Sequence, residues 1–312
     1  MGAMSSPHAP GTPPSQGAIA PRHLALLVLG VVAVSFSGVL AREAHAPALT
    51  ISFYRTAMAL VVLLPLALWR HGAEVRGLTR RQWGIAMLAG AFLAAHFATW
   101  ISSLSYTTVA ASVLIVTTSP IWIELWGRIG GERLPRAALG GIALALLWTL
   151  IVTGGDFRVS GGALLGDGLA LAGAVFAAAY LVSGRSLRRE VSLLTYVAIV
   201  YTTCAALLAA AMGATSTPFT GFPARTWAIF ALITIGPQIL GHTVFNYLLA
   251  HVQAAVVAIA VMAEPVGATI LAAMILGENP SVSELLGGAV ILAGVYLAIG
   301  VQARGAVEVP IE

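Results

Sequence analysis

Lysine is absent from this 312-residue chain, cysteine occurs once, and charged residues make up only 9% of the whole. Each shortage excludes something. Without lysine there is no phosphate-cradling glycine-rich loop of the kind completed by Lys-Ser or Lys-Thr, which speaks against ATP hydrolysis within the chain. The one cysteine, Cys204, lies in an apolar stretch and permits neither a disulfide framework nor a cysteine-based metal site. Charge so far below the roughly 25% of an average globular chain also excludes a soluble domain with a large core. No HExxH-type or paired catalytic motif occurs, so an intramembrane enzyme, a metal site and a cofactor are not expected.

What is present is apolar: 59% of residues are hydrophobic and the mean hydropathy is +0.92. Such a chain takes membrane lipid as its solvent. Sustained apolar runs broken by Arg, Pro or Gly place ten spans near 23–41, 48–69, 82–104, 108–127, 137–154, 163–184, 192–213, 226–249, 254–276 and 283–302. The sixteen basic residues are all arginines, in short clusters between apolar segments. They read as topology signals, not as a nucleic-acid footprint, so no nucleic-acid partner is expected. With the N-terminus inside, twelve arginines fall on the cytoplasmic side and three, Arg42, Arg158 and Arg225, on the other, while Arg55 lies within a span. Both termini are therefore expected in the cytoplasm, in a bacterial-type inner membrane. Ala44-His45-Ala46 resembles a signal-peptide cleavage site, but a repeat that includes the first span argues against its removal.

The chain also repeats itself. Gly90 to His96 lines up with Gly236 to His242, Ser119-Pro120 with Glu264-Pro265, Gly131-Glu132 with Gly277-Glu278, and Gly140-Gly141 with Gly287-Gly288. Five spans per half is an odd number, so the halves are expected in opposite orientations. The expected organisation is a disordered tail at 1–21, a first repeat at 22–155, a second at 156–302 and a short cytoplasmic tail at 303–312. The fold class is all-α and integral to the membrane.

These motifs resemble the EamA family of the drug/metabolite transporter superfamily. The resemblance covers nearly all the chain after residue 22 and rests on Ser52-Phe53-Tyr54-Arg55, the stretch from Pro120 to Gly131-Glu132, and Gly241-His242 through Asn246 to Glu264-Pro265 and Gly277-Glu278. It implies ten helices in two inverted five-helix halves around a central cavity, and export of small metabolites, often amino acids. The eighth and ninth spans are most similar to the aromatic amino-acid exporters of the family.

Ionisable groups inside spans cost about 2.5–3.5 kcal/mol each on the insertion scale, so each needs a partner, a wet cavity or a function. His96 and His242 hold equivalent repeat positions and are the leading site pair, able to sense or pass a proton; the alternative is an interhelical hydrogen bond. Gln238 and Asn246 stand one turn either side of His242 and suggest a polar stripe for a neutral or zwitterionic solute. On the third span, His96, Thr99, Trp100 and Ser103 make a comparable face; Trp100 either stacks on substrate or anchors at the interface. Glu264 precedes Pro265, where a helix break can face a cavity, and either binds an ammonium or coupling proton or pairs with Arg55. Arg55 suggests a carboxylate site or a gate toward the outer face. Glu124 has no acidic counterpart in the other half, an asymmetry that suggests a gating role, or it forms a salt bridge to Arg128, the preferred reading. Tyr180 and Trp122 are cavity linings or lipid-facing anchors, and Glu132 and Glu278 are caps and loop ties. Gly287, Gly288 and Gly294 permit close packing within or between chains, which leaves a homo-oligomer open.

The expected function is a secondary exporter of a small-molecule substrate, an amino acid or similar metabolite, working by alternating access. The spans expected to line its path are 1, 3, 4, 6, 8 and 9. Export of other metabolites, drugs or cations, or a non-transporting receptor or assembly subunit, are the competing readings.

Overall fold

The computed structural model describes residues 20–129, 161–252 and 260–280, with single positions at 257, 282, 285–286 and 289–290. Among these residues every regular element is helical. The elements are α1 (Pro21–Glu43), α2 (Ala48–Gly77), α3 (Arg80–Ser103), α4 (Val109–Val116), α5 (Ser119–Ile129), α6 (Gly161–Leu187), α7 (Leu193–Ala214), α8 (Ala224–Leu248) and α9 (Glu264–Leu276). Six of them, α1, α2, α3, α6, α7 and α8, are long and apolar enough to cross a membrane. The fifth expected span lies outside the described residues, and so does most of the tenth.

The ends of these helices follow from their sequence. Proline at the first position starts α1, where its missing N–H leaves no gap. Thr79 and Gln82 form a capping box at the start of α3, and Thr108 and Ser192 cap α4 and α7 through their hydroxyls. At His71 the backbone of α2 leaves helical geometry, with φ −127° and ψ 20°. The apolar run therefore ends near Arg70, and the polar turn from Gly72 to Gly77 continues in a new direction.

The fourth span departs from the single run expected over 108–127. It breaks between α4 and α5 at Thr117-Thr118, just before Pro120. Proline has no N–H to give the preceding turn, and both threonines donate their hydroxyls to the carbonyls three residues back, Leu114 at 2.9 Å and Ile115 at 2.7 Å. The repeat-related Glu264-Pro265 likewise starts α9 after a turn at residues 262–263. A second departure lies within α8, which widens into a π-helix over Thr234–Thr243 around Pro237. Thr243 Oγ1 donates to the Gln238 carbonyl five residues back at 3.1 Å, and the Tyr201 hydroxyl meets Thr243 Oγ1 at 2.9 Å, pinning the wide turn.

Packing has an internal symmetry. The α3–α6 contact has its counterpart in α8 against α1, and α2 against α8 in α7 against α3, while α2 packs on α7 and α4 on α9. Small residues allow the close approaches. A Cβ on Gly173 of α6 would stand 2.9 Å from Trp100 Cβ on α3, and one on Gly241 of α8 would stand 2.5 Å from Val34 Cγ1 on α1. Side chains also sort the joints onto two ends. At one end Arg225 pairs with Glu43, Thr226 Oγ1 donates to the Ala44 carbonyl at 3.0 Å, and Tyr54 OH to that of Phe219 at 2.7 Å. At the other, Glu74 accepts from the Ser192 N–H at 2.7 Å and from Thr195 Oγ1 at 2.6 Å, and Gln82 donates to Glu190 at 3.1 Å. The C-terminus of α1 lies at the first end and that of α6 beside the second, so the leading helices of the two halves run in opposite directions.

Candidate functional site

A cavity opens where α1, α3, the α4–α5 break, α6, α8 and the start of α9 converge. These belong to spans 1, 3, 4, 6, 8 and 9. The cavity measures about 70 Å³, room for several waters or for a small solute in their place. Its wall is mainly apolar, with Val34, Val116, Leu181 and Phe245 among the contributors, and polar groups enter singly: Ser37, Thr117, Tyr180, Asn246 and Glu264. A mostly apolar wall with a few fixed polar groups is the usual construction of a small-molecule site.

His96 and His242 face this cavity with ring centroids 6.3 Å apart. His96 is fixed on two sides. Its Nδ1–H donates to the Gly173 carbonyl at 2.9 Å, and Trp100 lies parallel to it at 5.8 Å. The carbonyl can only accept, so Nδ1 carries the proton and Nε2 is the free position. His242 has no hydrogen-bond partner among the described residues and meets the Phe97 ring edge-on at 5.2 Å. Trp100 is buried against α6, not exposed at an interface, and its Nε1–H has no acceptor among the described residues.

Behind Phe97 stands Arg55. It is only 1% exposed, with Cζ 3.8 Å above the Phe97 ring. Its Nε donates to Gln238 Oε1 at 2.9 Å and its Nη1 to Ser37 Oγ at 3.2 Å, while Nη2 has no partner among the described residues. The ion pair with Glu264 does not form: among the described residues no carboxylate lies within ion-pair distance of Arg55. Glu264 lines the cavity instead. Gln238 also differs from its expected place, since it clasps Arg55 and does not line the cavity.

The remaining candidates divide. Tyr180 is buried in the cavity wall, where its hydroxyl accepts from Asn246 Nδ2 at 2.6 Å. Thr99 and Ser103 close on their own helix, to Ala95 at 2.8 Å and Trp100 at 2.6 Å. Trp122 packs on the helix core away from the cavity lining. The side chains of Glu124 and Arg128, and all of Glu132, lie outside the described residues. Glu278 pairs with Arg42 at 3.0 Å and accepts from the Val109 N–H at 3.1 Å. Sequence reasoning missed Ser37 and Thr117. Their only signal was a hydroxyl inside an apolar run, which many spans carry without function. Among the described residues no three of His, Cys, Asp and Glu come together as metal ligands.

Comparison with known proteins agrees with this architecture. The profile of the EamA-like transporter family matches twice, over residues 22–154 and 164–300. An uncharacterized transporter of Archaeoglobus fulgidus is 29% identical over 257 residues, 81% of this chain and 88% of that protein. A second from the same organism is 24% identical over 275 residues, 88% of this chain and 95% of its own length. A solved crystal structure superposes with a TM-score of 0.71 over 92% of this chain and 99% of that one; at 21% identity the likeness is one of fold.

Proposed function

This chain belongs to the EamA-like transporter family, and from that premise we propose that it exports neutral or aromatic amino acids by alternating access through the cavity between its two repeats. It is a multi-pass membrane transporter. The proposed organisation is ten spans in two inverted halves, 22–155 and 156–302, in a bacterial-type inner membrane with both termini cytoplasmic.

The observation that carries the reading is the meeting of repeat-equivalent His96 and His242, 6.3 Å apart, across a cavity to which both repeats contribute. An axis relating two halves passes near such a pair, and rocking the halves about it would open the site to one side at a time. The helix breaks at Ser119-Pro120 and Glu264-Pro265 support this, since a span interrupted at the cavity can bend there. The composition of the wall supports an amino acid as the solute. Trp100 and Phe245 suit an apolar or aromatic side chain, and the Glu264 carboxylate suits an ammonium group. His96 and His242 are the groups through which a proton gradient would couple to flux.

The test is uptake by purified protein in liposomes across a panel of labelled amino acids, with and without an imposed pH gradient. Saturable flux of neutral or aromatic amino acids is expected. Binding without flux would make the protein a receptor, and inertness toward the whole panel would remove the amino-acid assignment.

A further inference from the structure

We infer that the cavity recognises the carboxylate of its solute through the Ser37 hydroxyl on α1, with the Arg55 guanidinium behind it as a positioning residue. The inference rests on the amino-acid reading above and adds to it which end of the solute is held, and by what.

Ser37 lines the cavity, and its Oγ is already loaded by the Arg55 Nη1–H at 3.2 Å. A hydroxyl that accepts from a cation is left with its own O–H to give, and that O–H has no acceptor among the described residues. One more donor of the same guanidinium, Arg55 Nη2, is buried and unmatched among the described residues. Arg55 itself cannot turn away. Phe97 covers its face at 3.8 Å, and Gln238 Oε1 holds its Nε at 2.9 Å. The local inventory is thus two donors and one full positive charge, with no anion in ion-pair contact among the described residues. Glu264, the carboxylate in the cavity lining, is not in that contact.

A carboxylate supplies what is missing, since it carries two oxygens that only accept and one negative charge. A primary amide of the same shape supplies one accepting oxygen, two further donors and no charge. The arrangement therefore discriminates between the two by charge and by donor count, while the apolar wall treats them alike. An unbranched amine lacking the carboxylate is rejected for the same reason.

The experiment measures liposome flux of one amino acid and of its amide, in the unaltered protein and in Ser37→Ala, Arg55→Gln and Arg55→Lys. The acid is expected to pass at least about tenfold faster than the amide, the equivalent of one charge-assisted hydrogen bond. In Ser37→Ala and Arg55→Gln acid flux should fall more than amide flux, so that the ratio moves toward one, and Arg55→Lys should keep part of it. A purely structural role for Arg55 would lower both fluxes together and leave the ratio intact, which would overturn the inference. So would equal flux of acid and amide in the unaltered protein. If Arg55→Gln does not fold, Ser37→Ala and Arg55→Lys decide the matter alone. Absence of flux for every acid and amide contradicts the exporter reading itself, and the inference falls with it.

Discussion

Arg42 and Glu278 form an ion pair of 3.0 Å that ties the C-terminus of α1 to the joint after α9. The same two side chains hold the joint between α3 and α4: Arg42 Nη2 donates to the Thr107 carbonyl at 2.7 Å, and Glu278 accepts from the Val109 N–H at 3.1 Å. Gly277, at φ +68°, ends α9 in a left-handed turn that glycine alone adopts without strain, and so delivers Glu278 to this place. Four cavity-lining spans are thus fastened together at one end of the molecule.

Removing that fastening should let the end open. Spin labels on His45→Cys and Asn279→Cys, both exposed positions, would report the separation across it. Glu278→Gln is expected to move the distance distribution toward a longer population by about 1.4-fold to fivefold, in line with the 0.2–1 kcal/mol of a partly exposed ion pair. An unchanged distribution would show that packing, not the pair, holds this end shut.

The two histidines should matter to flux more than to folding. His96→Ala loses one hydrogen bond, to Gly173, and the stack on Trp100, while His242→Ala loses only ring contacts among the described residues. Each variant is expected to fall at least about tenfold in transport. His242→Ala should keep a melting temperature near that of the unaltered protein. Either variant folding normally and transporting at full rate would remove the pair from the mechanism.

Much of this site was legible in the sequence, for a physical reason. Polar residues are so few inside the spans that His96, His242, Asn246 and Glu264 had almost nowhere to go except a shared cavity. The break before Pro120 was marked by the proline itself, although the span was read as one run. The place of Gln238 is set by a tertiary contact, its Oε1 on Arg55 Nε at 2.9 Å, which spacing along one helix does not encode. Ser37 and Thr117 were illegible because a hydroxyl that bonds its own helix and one that faces a cavity look identical in sequence.

Glycine positions give a stability test with its own control. Gly173→Ala places a Cβ against the Trp100 Cβ and backbone of α3, where neither helix can yield cheaply. A loss of about 1–3 kcal/mol is expected, the usual range for overpacking. Gly213→Ala, in α7 with open space around the new methyl, should be neutral or gain up to about 1 kcal/mol from helix propensity. Thermal unfolding in detergent, read for both variants, checks the contrast; equal effects would contradict the α3–α6 packing described above.

If solute passes through the cavity between the repeats, blocking that cavity must stop flux. The native thiol Cys204 is buried in α7, so a Cys204→Ala chain carrying Thr117→Cys presents one thiol, in the cavity wall. Liposome flux of an amino acid is then measured before and after reaction with a small methanethiosulfonate reagent. Labelling is expected to abolish flux, and saturating substrate to slow labelling. Full flux after quantitative labelling would place the solute path outside this cavity.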